Sequence, residues 1–246
     1  MKRVIYFRPR LWPTVMTIPM FIILCLLGTW QVERLQWKLD LIDKLEKRIA
    51  MTPVGLPIAT GAGGEALEDW EYLPVRISGH FMHLREMTMY SIGPEGQPGY
   101  DIYTPLMIGD GRTVIVNRGW VPENLKLKTS RPRSVVNGEV IVTGLLRKPW
   151  EQVMMGPEND VENNVWYYGD INQMAEAQDL EKVFPMYLYA DKTPNPGGWP
   201  LGGRTRLKLA NNHLGYVITW YGLALALVAV YLFYHMKILP AGGRQE

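Results

Sequence analysis

His213 stands at the head of the most suggestive pattern in this 246-residue chain. His213, Tyr216, Val217 and Trp220 follow at i, i+3, i+4 and i+7, so a helix carries them on one face. A neutral imidazole at a membrane edge is a good axial ligand for haem iron, and Tyr216 and Trp220 would lie along the flat macrocycle. The same residues also describe an interfacial anchor, a polar histidine at headgroup depth beside Trp and Tyr. Spacing alone leaves both readings open, although ionisable residues at membrane depth tend to be functional.

Other chemistry finds little support. The chain has no P-loop, no G-x-S-x-G, no H-E-x-x-H and no G-x-G-x-x-G. His80 and His83 are three apart in or beside a strand and would point to opposite faces, which does not suit a shared metal. The acidic stretch Glu158–Glu162 lacks the alternating ligands and glycine of a calcium loop and reads as a solvated loop. With one cysteine, Cys25, the chain alone builds no intrachain disulfide, thiolate zinc site or iron–sulfur cluster. No nucleophile–base pair is visible, and a non-enzymatic role is expected.

The elements that position His213 begin with two uncharged runs, Leu11–Trp30 and Leu214–Tyr234. Twenty residues at ~1.5 Å each reach about 30 Å, a bilayer's hydrocarbon thickness. Lys2, Arg3, Arg8 and Arg10 precede the first run and Lys237 follows the second, so both termini are expected in the cytoplasm. This divides the chain into a cytoplasmic N-terminus (1–10), a first span (11–30), an extracytoplasmic domain (31–213), a second span (214–236) and a cytoplasmic tail (237–246). Removing the flanks leaves 31–236 slightly acidic, which argues against nucleic acid. On the second span Gly215, Thr219, Gly222, Ala226 and Ala229 share the face opposite His213. That small-residue face is expected against the first span, around Gly28 and Cys25, leaving the His–aromatic face free.

Between the spans, Trp30–Ala50 carries a helical apolar stripe through Leu35, Leu39, Ile42, Leu45 and Ile49. Short strand-like runs follow at 73–81, 86–90, 102–108, 113–117, 139–146, 165–168 and 186–189, with Asp110-Gly111 as a hairpin turn. A helical patch, 171–180, follows Asp170 as N-cap region. The expected fold is an α+β outer domain with a mostly antiparallel sheet, held between two transmembrane helices.

Several motifs carry a family likeness. Leu27-Gly28-Thr29-Trp30-Gln31 with Arg34 and Trp37-Lys38, Val116-Asn117-Arg118-Gly119-Trp120-Val121-Pro122, and Asn211-Asn212-His213-Leu214-Gly215-Tyr216 leading to Thr219-Trp220-Tyr221-Gly222 occur in this order. Together they resemble the surfeit-locus cytochrome oxidase assembly proteins, in a bacterial member. The resemblance implies a membrane assembly factor, a chaperone that binds haem a transiently and aids its insertion into oxidase subunit I, with His213 as the iron ligand. It also implies cytochrome oxidase subunit I as partner, with haem a synthase and membrane lipid as further contacts.

Within that reading, Tyr216 and Trp220 would shield the macrocycle. Arg204 and Arg206, with Lys208, would meet haem propionates just ahead of His213, or alternatively anionic lipid. Trp30, Gln31, Arg118 and Trp120 are the candidate partner-binding residues, strand-end packing being the alternative for Trp120. The chain departs from the family pattern at Ala210 and Gly169, where relatives often carry a basic residue. The rival reading is a cofactor-free scaffold that stabilises subunit I. The short N-terminal segment favours the bacterial inner membrane over a mitochondrial one.

Overall fold

The computed structural model describes residues 3–58, 64–205 and 211–240. It divides into two compact units, one formed by Met1–Lys44 with Lys208–Glu246 and the other by Leu45–Leu207. In chain order the elements are β1 (Arg3–Phe7), α1 (Leu11–Ile49), α2 (Gly64–Trp70), β2 (Pro74–Phe81), β3 (Met87–Ile92), β4 (Pro98–Ile108) and β5 (Thr113–Pro122). There follow β6 (Glu139–Arg147), β7 (Val165–Trp166), α3 (Ile171–Ala177), β8 (Tyr187–Ala190), α4 (His213–His235) and β9 (Met236–Pro240).

The first unit is built on α1 and α4, both long and apolar enough to cross a membrane. Together they fit a two-span membrane protein. Most of their apolar side chains face outward: Leu11, Met16, Leu26, Leu225 and Phe233 are all exposed. A water-soluble bundle would bury such a stripe; lipid is as apolar as these side chains and gives no reason to hide them. Pro19 lies inside α1 without ending it. Beyond the apolar run α1 continues to Ile49, as the stripe through Leu35 and Ile42 requires. At the other end β1 pairs antiparallel with β9, from Arg3 opposite Pro240 to Phe7 opposite Met236. The sequence reading had these flanks only as charged tails.

The second unit is a seven-stranded sheet in the order β2-β6-β8-β5-β4-β3-β7. Its pairings are antiparallel except β3–β7 and β5–β8, as the α+β reading expected. A further antiparallel pairing of Gly79–Phe81 with Leu106–Ile108 joins β2 to β4, so β2, β6, β8, β5 and β4 close into a ring. One core holds Val75, Leu106, Val114, Val116, Leu146 and Leu188. A second, on the other face, gathers Met87, Tyr103, Ile115, Trp166, Met174 and Tyr187. Alternate residues of β5 therefore enter different cores, which explains why every residue from Thr113 to Val121 is buried. Helix α3 closes the second core through Ile171 and Met174. The Asp170 carboxylate caps it by accepting from the Asn172 and Gln173 N–H groups, each at 3.0 Å.

The Asn-Arg-Gly-Trp motif is the irregular point of β5. Tyr103 pairs with Asn117 and Ile102 with Gly119, so Arg118 is the extra residue of a β-bulge. The Asn117 side chain holds the bulge. Its Oδ1 accepts from Gly119 N–H at 2.9 Å and its Nδ2 donates to Tyr103 Oη at 3.1 Å. Gly119 has φ of 121° and lies against the backbone of Leu201, which bridges Trp120. A Cβ there would meet strain and backbone together.

Gly119→Ala should therefore cost at least about 2 kcal/mol. Gly111→Ala, at φ of 81° with open space around it, should cost clearly less. Urea denaturation of the full chain in detergent, followed by tryptophan fluorescence, compares the two. Equal losses would mean that the Leu201 contact does not matter.

Candidate functional site

His213 is the first residue of α4, and its imidazole turns toward α1. Nδ1 lies 2.8 Å from Oε1 of Gln31. An amide oxygen only accepts, so Nδ1 is the donor in this hydrogen bond. Gln31 is buried, which keeps this acceptor in place. No described residue hydrogen-bonds Nε2. The pair thus has the arrangement usual for a ligating histidine, in which an acceptor on one ring nitrogen fixes the tautomer and orients the other.

The same helix face continues downward from His213. Gly28 of α1 packs on the Tyr221 ring so closely that a Cβ would lie 2.9 Å from Cζ. Thr29 Oγ1 and Tyr221 Oη are 3.0 Å apart. Nearer the other end, Thr14 Oγ1 meets Tyr231 Oη at 2.7 Å and Arg10 donates to Tyr234 Oη at 2.8 Å. These contacts correct the expected packing. Gly215 and Gly222 have nothing within 4 Å, and Thr219 and Ala226 are exposed. At Tyr221 the small residue is Gly28 of α1, and the ring of α4 fills the space it leaves; the small residue that α4 itself buries is Ala224.

The Leu-Gly-Thr-Trp-Gln and His-Leu-Gly-Tyr…Trp-Tyr motifs are therefore two halves of one contact. Their complementarity was a signal available in the sequence: a glycine, a hydroxyl and an amide on one span, a tyrosine and a histidine on the other. Tyr216 is exposed, whereas Trp220 is turned inward with its indole N–H buried and unpartnered among the described residues. The structure thus brings His213, Gln31 and Trp220 onto the helix pair's inner side and leaves Tyr216 and Trp30 outside.

Arg204 belongs to the other unit, where its guanidinium is engaged. Nη2 donates to the Ile92 carbonyl at 2.5 Å, Nη1 lies 3.4 Å from Asp101 Oδ1, and the Trp120 ring is 5.5 Å from Cζ. Burial raises the Asp101 carboxyl above its usual range, and the Arg204 charge opposes that shift. Arg206 and Lys208 lie outside the described residues.

Arg118 and Trp120, the candidate partner-binding residues of the sheet unit, are both buried, as the packing alternative for Trp120 expects. Trp120 fills the space over Gly93 and Gly99, where a Cβ at either would meet its ring. Arg118 donates from Nη2 to the Ser134 carbonyl and to Asn195 Oδ1. Arginine and tryptophan anchor interfaces, but β5 sits between two neighbours with a core on each face and has no outward side to lend them.

A model of the SURF1 family matches residues 18–225. The chain belongs to the SURF1 family. The match runs from within α1 to within α4 and includes both halves of the Gly28–Tyr221 and Gln31–His213 contacts. Surfeit locus protein 1 of Rattus norvegicus is 38% identical to this SURF1-family chain over 215 residues, 81% of this chain and 68% of the rat protein. The Homo sapiens protein of the same name is 37% identical over 216 residues, 81% and 70% of the two chains. The Xenopus tropicalis protein is 36% identical over 216 residues, with 81% and 68% covered.

Gly28→Leu should force the helices of the SURF1-family chain apart at Tyr221 and destabilise the pair by about 1–3 kcal/mol. Gly222→Leu, pointing into open space, should leave it within about 0.5 kcal/mol. Thermal melting in detergent distinguishes them. The reverse order would restore the small-residue face as the packing surface.

Proposed function

We propose that this SURF1-family chain carries haem a at His213 and hands it to subunit I during cytochrome oxidase assembly. Membership of the family implies the oxidase-assembly role; the cargo and the hand-over are the reading offered here. What supports it is the Nδ1–H of His213 given to the buried Gln31, which fixes the ring and orients Nε2. Among the described residues no three His, Cys, Asp or Glu side chains cluster to hold a bare ion. A macrocycle brings four equatorial nitrogens of its own and needs only an axial donor, which one imidazole supplies.

His213 would hold the cargo by this single nitrogen, and Tyr216, exposed one turn on, would lie beside it. A hold through one neutral ligand is weak enough to yield to a receiving protein with two. No covalent bond of the cargo changes, so no catalytic group is called for. On the positive-inside pattern of the flanks, both termini would lie in the cytoplasm and the sheet domain outside the bacterial inner membrane.

Purified protein co-expressed with haem a synthesis should show a Soret band, and His213→Ala should largely abolish it. Gln31→Leu, which removes the acceptor and leaves the histidine, should weaken haem retention roughly 10–100-fold. A wild-type protein without a Soret band that still supports oxidase maturation would favour the cofactor-free scaffold. Retention unchanged in Gln31→Leu would reduce the pair to a helix clamp.

A further inference from the structure

Arg118 is a buried cation without an anion. Its side chain is held in the bulge of β5, and the residue is 2% exposed. Its two hydrogen bonds go to neutral oxygens, the Ser134 carbonyl at 2.8 Å and Asn195 Oδ1 at 3.1 Å. The Phe81 ring lies 4.7 Å from Cζ. Nε and Nη1 are buried and have no partner among the described residues. The nearby Glu86 carboxylate is already paired with Arg131, and both side chains are buried. Burial pulls the Arg118 guanidinium down to about 10, with the Arg131 charge adding to the fall and Glu86 opposing it. It therefore stays charged at neutral pH. An uncompensated charge in such a place is among the costlier features a fold can hold.

Beside it is a pocket of about 310 Å³. Arg118 lines it together with apolar side chains, among them Phe81, Val116, Val136, Val140 and Val142. Asn195, which accepts from Arg118, is also in the wall. Asp191 is the one acidic residue there. Its Oδ1 accepts from Thr193 N–H at 2.8 Å and it makes no ion pair with Arg118 among the described residues. The wall is thus mostly apolar with one fixed cation, which matches a molecule that has an apolar body and one negative end. Bulges commonly serve to re-aim a side chain into a site, and here the extra residue is the cation itself.

We propose that this pocket of the outer unit binds a small carboxylic acid with an apolar body, its carboxylate neutralising Arg118. The site lies wholly within Leu45–Leu207 and does not depend on haem binding at His213. A carboxylate is favoured because its two oxygens match the buried, unpartnered Nε–H and Nη1–H, and most of the remaining wall is apolar.

The full chain in detergent is titrated calorimetrically with 3-phenylpropionate and, separately, with 3-phenylpropan-1-ol, which shares the body and lacks the charge. The acid should bind at least tenfold more tightly than the alcohol. Arg118→Gln should remove that preference. Because removing a buried arginine can unfold the domain, Val136→Trp serves as a second variant: it narrows the pocket, keeps Arg118, and should weaken acid binding at least tenfold. His213→Ala should bind the acid like wild type, which separates this site from the haem reading. No binding of the acid by wild type, equal binding of acid and alcohol, or unchanged binding in Val136→Trp would each overturn the proposal.

Discussion

Lipid offers no hydrogen bonds, so polar side chains on the inner faces of α1 and α4 gain by pairing across the two helices. Four such pairings run along the two helices, Arg10 with Tyr234, Thr14 with Tyr231, Thr29 with Tyr221 and Gln31 with His213. They set the register of the pair more firmly than apolar packing could, since most of the apolar side chains face outward and have no preferred neighbour. The state of His213 follows from the same rule. Gln31 turns its amide oxygen to the ring, so the imidazole presents the Nδ1 proton there, and helix packing orients the ring.

The sheet domain obeys a different constraint. β5 lies between β4 and β8 with a core on either face, so its residues have no solvent side. Polar residues in such a strand must be satisfied locally. Asn117 manages this by bonding to Gly119 and Tyr103, and Tyr103 in turn meets Tyr189 Oη at 2.8 Å. Burial raises the Tyr189 hydroxyl to about 12, so this chain of groups stays neutral. Arg118 alone among them keeps a charge.

Much of this architecture was legible because it follows from local periodicity. The two spans, the outward continuation of α1, the hairpin at Asp110-Gly111 and the cap at Asp170 each rest on a few neighbouring residues. The closing of β2 onto β4 and the parallel docking of β8 on β5 were not legible, because both depend on register between distant segments. The face of α4 was misjudged for a related reason. A stripe of small residues says that a close approach is possible there, but the partner's own glycine, Gly28, decided where the approach occurs. The burial of Arg118 and Trp120 was not legible from residue type, because the types that anchor interfaces also fill interiors. The continuous burial of Thr113–Val121 had a visible sign in its unbroken apolar and β-branched run. His213 was legible as a candidate, whereas Gln31 was read as a partner-binding residue and not as the acceptor of His213.

The antiparallel ribbon of β1 and β9 ties together the segments that flank the two spans. During synthesis β1 precedes α1 and waits for a mate that is made only after α4. The ribbon can zip shut only once the second helix has crossed the bilayer and returned the chain to the starting side. A polypeptide stalled halfway, or with one helix inverted, would leave β1 without its mate and its strand edge open.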